Sequence, residues 1–255
     1  MAEHLIAHLR DVLRSGQDHV PFQILSDEEL AAIDHDHESE FILQPWIEGQ
    51  PDIDAAVSAR FGQRSLFLRG LLEPWSEEAT GDATFLPSKQ LKFVTDARRL
   101  GVGYIMVRAT YDGNRTGRYV VLQSELGGYE EDIDDDGIHV YAACSYRSAL
   151  ERLADFALPI PDHHGVEVRA RIAADRWQPW LLNELGVDTR PVQVNLFLPA
   201  ASGALEPEAW LVAHANEIGL LATRVGDDLQ IASMTPSRLY DRLAERVSIA
   251  LGVDI

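Results

Sequence analysis

Asp132-Ile133-Asp134-Asp135-Asp136-Gly137 sets carboxylates at alternate positions ahead of a glycine. That is the first half of a calcium loop, in which acidic side chains ligate the ion and the glycine makes the sharp turn. The bidentate glutamate that closes such a loop would fall on Ala143, and the flanking segments read as strands. The stretch therefore reads as a solvated hairpin turn. Asp34-His35-Asp36-His37-Glu38-Ser39-Glu40 collects ligand types suited to zinc or nickel. No helical H-E-x-x-H pattern fixes a geometry for them, and His163-His164 lie in a linker-like segment, so a polar loop is the expectation. His4 and His8 share a helix face and read as a surface coincidence. Cys144, the single cysteine, can form neither an internal disulfide nor a thiolate zinc site, and its apolar strand makes it a small hydrophobe. No G-x-S-x-G elbow and no P-loop occurs, while Gly101-Val102-Gly103 follows a helix and lacks the remaining glycine of a dinucleotide fingerprint. These residues predict no catalytic group, no metal site and no cofactor.

Charge narrows the partners. Acidic residues number 41 against 22 basic ones in 255 residues, a net charge of −19. A chain this acidic repels phosphate backbones, and Arg98-Arg99 is too small a patch to reverse that, so no nucleic-acid partner is expected. No apolar run reaches the roughly 18 to 20 residues that cross a bilayer, and the N-terminal MAEHLIAHLRDVLRSGQ is charged throughout without a signal-peptide core. The expectation is a cytosolic protein without a membrane partner, a monomer or weak homodimer. At 46% hydrophobic residues the chain can bury one large core or two coupled smaller ones.

The elements that would position any site fall into an N-terminal region, 1–87, and two similar segments, 88–158 and 177–255, joined by a linker, 159–176. In the N-terminal region Glu3 to Arg14 carries a helical apolar stripe, and Val20 to Leu25 is a possible edge or first strand. Ser26 to Leu30 opens a helix with a capping box, Ile53 to Leu72 reads as a further helix, and Trp75 to Gly81 as an acidic loop. Leu100-Gly101-Val102 recurs as Leu185-Gly186-Val187, each ending a helix (about 88–100 and about 177–185) before a strand-like run. Polar or small loops follow, Asp112 to Gly117 and Ala200 to Pro207, then a second strand. Glu125-Leu126-Gly127 matches Glu217-Ile218-Gly219 at an offset of 92, whereas Cys144-Ser145 matches Met234-Thr235 at 90. The offset changes at the acidic turns Asp134 to Gly137 and Gly226 to Asp228, where a loop absorbs a deletion that a strand would not. Ser145 and Thr235 are the expected N-caps of the closing helices, with Pro236 in a first turn that needs no N–H. Residues 166–172 alternate like a strand, yet the Ala-Ala-Asp-Arg-Trp after them allows a helix start. The fold class predicted is α+β: a pseudo-twofold repeat of a helix, three-stranded meander and helix, sharing one mainly antiparallel sheet with helices over it, in a single domain spanning 1–255.

This order of features resembles the EspG family of ESX (type VII) secretion-associated chaperones of actinobacteria. The resemblance is carried by Arg64-Ser65-Leu66-Phe67-Leu68-Arg69-Gly70-Leu71-Leu72, by Leu91 to Leu100 leading into Gly103 to Arg108, and above all by the twofold repeat. It covers most of residues 20–250, and the Trp75 to Gly81 and 34–40 segments have no counterpart in it. It implies a non-enzymatic cytosolic chaperone that binds a PE–PPE heterodimer at the apolar helical tip of the PPE partner. It further implies that Asp112, Gly113, Asn114, Arg115, Thr116 and Gly117 form the partner-contacting loop and that a helix at 236–250 helps form the groove. Two other classes stay open on the residues alone: an acidic immunity or inhibitor protein for a basic toxin, and a small-molecule enzyme whose polar groups are scattered along the chain.

Overall fold

A computed structural model describes residues 3–33, 43–50, 52, 54–75, 84–111, 114–124, 126–162, 167–185, 192–215 and 217–255. The N-terminal region supplies α1 (Glu3–Arg14), β1 (His19–Ser26), α2 (Asp27–Ile33), the short α3 (Pro45–Glu48), α4 (Ala55–Leu68), β2 (Leu72–Trp75) and β3 (Thr84–Pro87), and α5 (Lys89–Arg99) opens the segment after it. A first meander follows, β4 (Gly103–Tyr111), β5 (Asn114–Ser124), β6 (Gly127–Ile133) and β7 (Ile138–Cys144), closed by α6 (Tyr146–Ala157). Next come β8 (Arg169–Ala173), a 3₁₀ turn (Ala174–Arg176) and α7 (Trp177–Leu185). The second meander is β9 (Val192–Pro199), β10 (Leu205–Ala215), β11 (Ile218–Val225) and β12 (Asp228–Ser233), closed by α8 (Pro236–Leu251).

Ten strands form one antiparallel sheet in the order β1-β7-β6-β5-β4-β9-β10-β11-β12-β8, and β2–β3 is a separate hairpin. The meanders meet where β4 pairs with β9, Tyr104 opposite Phe197 and Ala109 opposite Val192. Strand alternation then decides which side chains meet which helices. Val107, Val120, Leu122, Cys144, Val194, Leu196 and Val212 face α6 and α8 and form the largest core with Leu150, Leu153, Leu239 and Leu243. On the opposite face α1, α2, α4 and α5 cover the first half of the sheet. There α7 covers the second, with Trp177 and Leu181 against Leu220, Ala222 and Ile231. No helix among the described residues is long and apolar enough to cross a membrane.

Several expectations are met locally. The Ser145 and Thr235 hydroxyls accept the N–H groups of Ser148 and Arg238 at 3.2 and 3.3 Å. The Ser26–Glu29 capping box closes in both directions, at 3.2 and 3.4 Å. Of the alternating 166–172 segment, residue 166 lies outside the described residues, and Arg169–Ala173 forms a strand that runs straight into the 3₁₀ turn before α7. Others need correction. Each meander has four strands and not three, because Ile138–Cys144 and Asp228–Ser233 continue past the acidic turns. The linker 159–176 contains β8, whose alternating side chains let it pair with β12. The helix expected at 53–72 stops at Leu68, where Gly70 turns at φ +69°, and the chain re-enters as β2. The loops are also shorter than expected, since strand pairing runs to Tyr111–Asn114 and to Pro199–Leu205.

Helix α4 inverts the usual pattern. Ser58 and Leu66 are buried while Val57, Phe61, Phe67 and Leu68 are exposed. The cause is a close crossing with α2: a Cβ on Gly62 would lie 1.8 Å from the carbonyl oxygen of Glu28. Only a glycine admits that backbone contact. Gly62→Ala should therefore lower the unfolding free energy by about 1–3 kcal/mol through overpacking, although in an exposed helix the same change gains up to about 1 kcal/mol. Urea denaturation decides it, and a variant as stable as wild type contradicts the crossing.

Candidate functional site

Among the described residues, a buried constellation of chemistry-bearing side chains is built on β6 and β7 and closed by α2 and α5. Glu131, His139 and Tyr141 project from one sheet face into the layer where Asp27 opens α2 and Arg98 ends α5. His139 is fully buried, with Nε2 2.6 Å from Asp27 Oδ1 and Nδ1 2.7 Å from Glu131 Oε1. The Tyr141 hydroxyl donates to the same glutamate oxygen at 2.8 Å, and Arg98 Nε lies 3.3 Å from Glu131 Oε2. The second Asp27 oxygen accepts the N–H groups of Trp46 and Ile47 at 2.8 and 3.2 Å, fixing the start of α3.

Burial alone would lower the His139 pKa, but its bonds to Asp27 and Glu131 outweigh burial and raise it above the ordinary value. Burial likewise works to raise the Glu131 pKa, and Arg98, His139 and Tyr141 overcome it and hold the carboxyl below its ordinary value. Both imidazole nitrogens face carboxylates, so both must donate and the ring is an imidazolium. Two carboxylates then balance one imidazolium and one guanidinium. A ring whose nitrogens are both committed, with no exposed surface, has no lone pair for a substrate. The arrangement is a structural ion network.

On the other face of β6, Glu130 is 1% exposed and accepts from Arg152 of α6 at 2.8 and 2.9 Å. Arg118 reaches Asp132 at 2.5 Å and lies 5.2 Å from the Phe156 ring centroid. Burial favours a higher Glu130 pKa, yet His19 and Arg152, with Arg118, bring it below the ordinary value.

Of the residues assigned from the sequence, Asp112 and Gly113 lie outside the described residues. Asn114 donates to Asp135 at 2.7 Å, which ties the β4–β5 tip to the β6–β7 turn, and Arg115 pairs with Glu48 of α3 while staying half exposed. The Asp132–Gly137 stretch is a hairpin turn: the Asp134 carboxylate accepts the N–H groups of Asp136 and Ile138 at 3.1 and 2.8 Å. Its glycine, at φ +73°, is needed because a Cβ would sit 2.6 Å from Asp27 Oδ2. His8 is no surface coincidence; it is half-buried, its Nδ1 3.2 Å from the Tyr129 hydroxyl and its ring edge-on to Phe22 and Phe93. Burial pushes the Cys144 thiol well up, away from thiolate chemistry. The 34–40 segment lies outside the described residues, and among those described no His, Cys, Asp or Glu group is arranged to hold a metal. The sequence reading missed the network of Asp27, Arg98, Glu131, His139 and Tyr141. A signal was available: consecutive glutamates inside a strand cannot both face solvent when the sheet is covered on both sides.

No protein-family model matches the chain, and no curated protein does.

The network sets a pH profile. A raised His139 pKa adds stability that is complete below the unfolded value of 6.5 and is lost as pH rises through the folded value. The lowered Glu131 pKa adds stability that is present above 4.5 and is lost as pH falls through its folded value. The difference in unfolding free energy between wild type and His139→Gln should therefore be greatest between those limits. It should shrink above the upper one by up to about 1.4 kcal/mol per pH unit. A difference that stays flat up to pH about 9 contradicts the imidazolium.

Proposed function

We propose that the chain is a non-enzymatic chaperone of the EspG kind, a pseudo-twofold protein that holds the apolar helical tip of a PE–PPE-type heterodimer of a type VII secretion system. What supports the reading is the order of elements in the two halves. Each runs helix, four-stranded meander, capped helix, and the halves join through β4 and β9, with an edge strand beyond β7 and β12. The glycines paired by the sequence repeat answer the same steric demand. A Cβ on Gly127 would lie 2.4 Å from the Cys144 carbonyl oxygen, and one on Gly219 would lie 2.4 Å from that of Met234. Those are the residues that the two offsets equate.

Because β4 and β9 are antiparallel, the tips of β4–β5 and β9–β10 point to opposite ends of the sheet. The tips also differ in chemistry: Asn114, Arg115 and Thr116 at one, and Ala200-Ala201-Ser202-Gly203-Ala204 at the other. Unlike tips on a near-symmetric frame would orient an asymmetric partner. In this reading the β4–β5 tip is the specificity element, with Arg115 released from Glu48 to a partner carboxylate. The buried ion networks give the frame rigidity and take no part in chemistry.

The test is calorimetric binding to a co-expressed PE–PPE heterodimer. Arg115→Glu should weaken the complex by about 2 kcal/mol or more. Its own stability should move by less than about 1 kcal/mol, since an exposed pair contributes little. Glu48→Ala, which frees Arg115, should bind at least as well as wild type. Absence of a complex overturns the chaperone reading, and wild-type affinity in a folded Arg115→Glu moves the contact away from this tip.

A further inference from the structure

The two edges of the ten-stranded sheet are treated differently. At β1 the outward backbone groups are sealed by side chains. Gln90 donates to the Phe22 carbonyl at 3.4 Å, Arg69 donates to that of Ile24 at 2.8 Å, and the Ser26 N–H donates to Glu29 at 3.2 Å. Pro21 and a register shift between Pro21 and Gln23 further spoil that edge as a template. At β8 the bonds to the rest of the sheet run through alternate residues, with the Ser233 N–H donating to the Val168 carbonyl at 3.0 Å and the Ala174 N–H to that of Asp227 at 3.2 Å. By antiparallel alternation Ala170 and Ile172 also bond to β12, so the N–H groups of Arg169, Arg171 and Ala173 point outward. No side chain among the described residues seals them as Gln90, Arg69 and Glu29 seal β1.

Beside this edge, on the face shared with α8, lies an open groove of about 490 Å³ lined in part by Glu167, Arg169, Arg171, Val225, Gln230 and Arg238. Its lining carries three arginines and one glutamate, in a chain of net charge −19. Arg169 pairs with Glu167 at 2.7 Å and Arg171 with Asp228 at 2.8 Å, both at exposed positions. Arg238, in the first turn of α8, is the third cation.

We infer that β8 is a docking edge for an extended acidic segment of another protein, which adds as an eleventh strand with its carboxylates toward Arg169, Arg171 and Arg238. Main-chain bonds supply the affinity, and the side chains over the groove supply the selection. A second copy of this chain fits less well, because an antiparallel β8–β8 pair would set arginines against arginines between two acidic molecules. The inference stands apart from the secretion reading: this edge is the outermost strand, and the β4–β5 tip is the end of two central strands.

The probe is a fluorescein-labelled peptide of alternating glutamate and valine, read by anisotropy, beside a lysine–valine peptide of equal length. Saturable binding of the acidic peptide is expected, with slowed amide exchange at Arg169, Arg171 and Ala173 of the wild-type protein. Ala173→Pro is the decisive variant. Ala173 already has φ −62°, where proline fits, and its N–H is not used by β12. The variant should keep its melting temperature yet bind the acidic peptide at least about tenfold more weakly, as expected from one or two lost hydrogen bonds. Three results overturn the inference: no saturable binding with no change in wild-type exchange, equal affinity for both peptides, or a wild-type dimer that Ala173→Pro dissociates, which would assign the edge to a second copy.

Discussion

Glu130 and Glu131 are adjacent on β6, and neither is more than 2% exposed. A strand sends neighbouring side chains to opposite faces, so burying both requires a neutralising layer on each side of the sheet. The chain answers with two different networks. On one face Arg152 of α6, with Arg118, meets Glu130. On the other Arg98 and His139 meet Glu131, and Asp27 completes the charge balance while it opens α2 and anchors α3. Helices α6, α2 and α5 each bring a partner to this pair of carboxylates or to His139, and α3 is held through Asp27. Apolar packing adds the bulk of the burial. Such networks contribute little net stability while intact, and breaking one partner typically costs about 3–5 kcal/mol.

The same economy removes these groups from chemistry. Both imidazole nitrogens of His139 and one Glu131 oxygen are hydrogen-bonded inside the protein, the other Glu131 oxygen lies 3.3 Å from Arg98 Nε, and burial pushes the Cys144 thiol well up. What the molecule offers to others lies on its surface. The β4–β5 tip is polar, α4 exposes apolar side chains beside Arg60 and Arg64, and β8 leaves outward N–H groups beside an arginine-rich groove. Contact surfaces of this kind suit a binding protein, which is the reading the proposals above develop.

Much of the frame was legible in the sequence because its signals are local. A helical apolar stripe placed α1, the hydroxyl caps marked where α6 and α8 begin, and the expectation of one shared, mainly antiparallel sheet holds. The strand that carries Cys144 was legible as an apolar strand but was not counted into the first meander, and β12 was not counted into the second. Helix α4 was drawn too long because its outward Phe67 and Leu68 extend an apolar run that the structure ends at a turn. The ion network was legible only in part, since consecutive glutamates on β6 mark a buried carboxylate but not its partners. Its members come from residues 27, 98, 131, 139 and 141, and only the topology of the sheet, with β1 returning against β7, brings Asp27 to His139. A capping-box aspartate and a strand histidine carry no local mark of that meeting.

The central claim is that two buried carboxylates hold His139 as an imidazolium and that this network locks the N-terminal layer to the sheet. The nitrogen-15 chemical shifts of the His139 ring, measured in the folded protein near neutral pH, test it most directly. The account predicts that both ring nitrogens resonate as protonated, each with a slowly exchanging proton. One unprotonated nitrogen, the signature of a neutral tautomer, would contradict it.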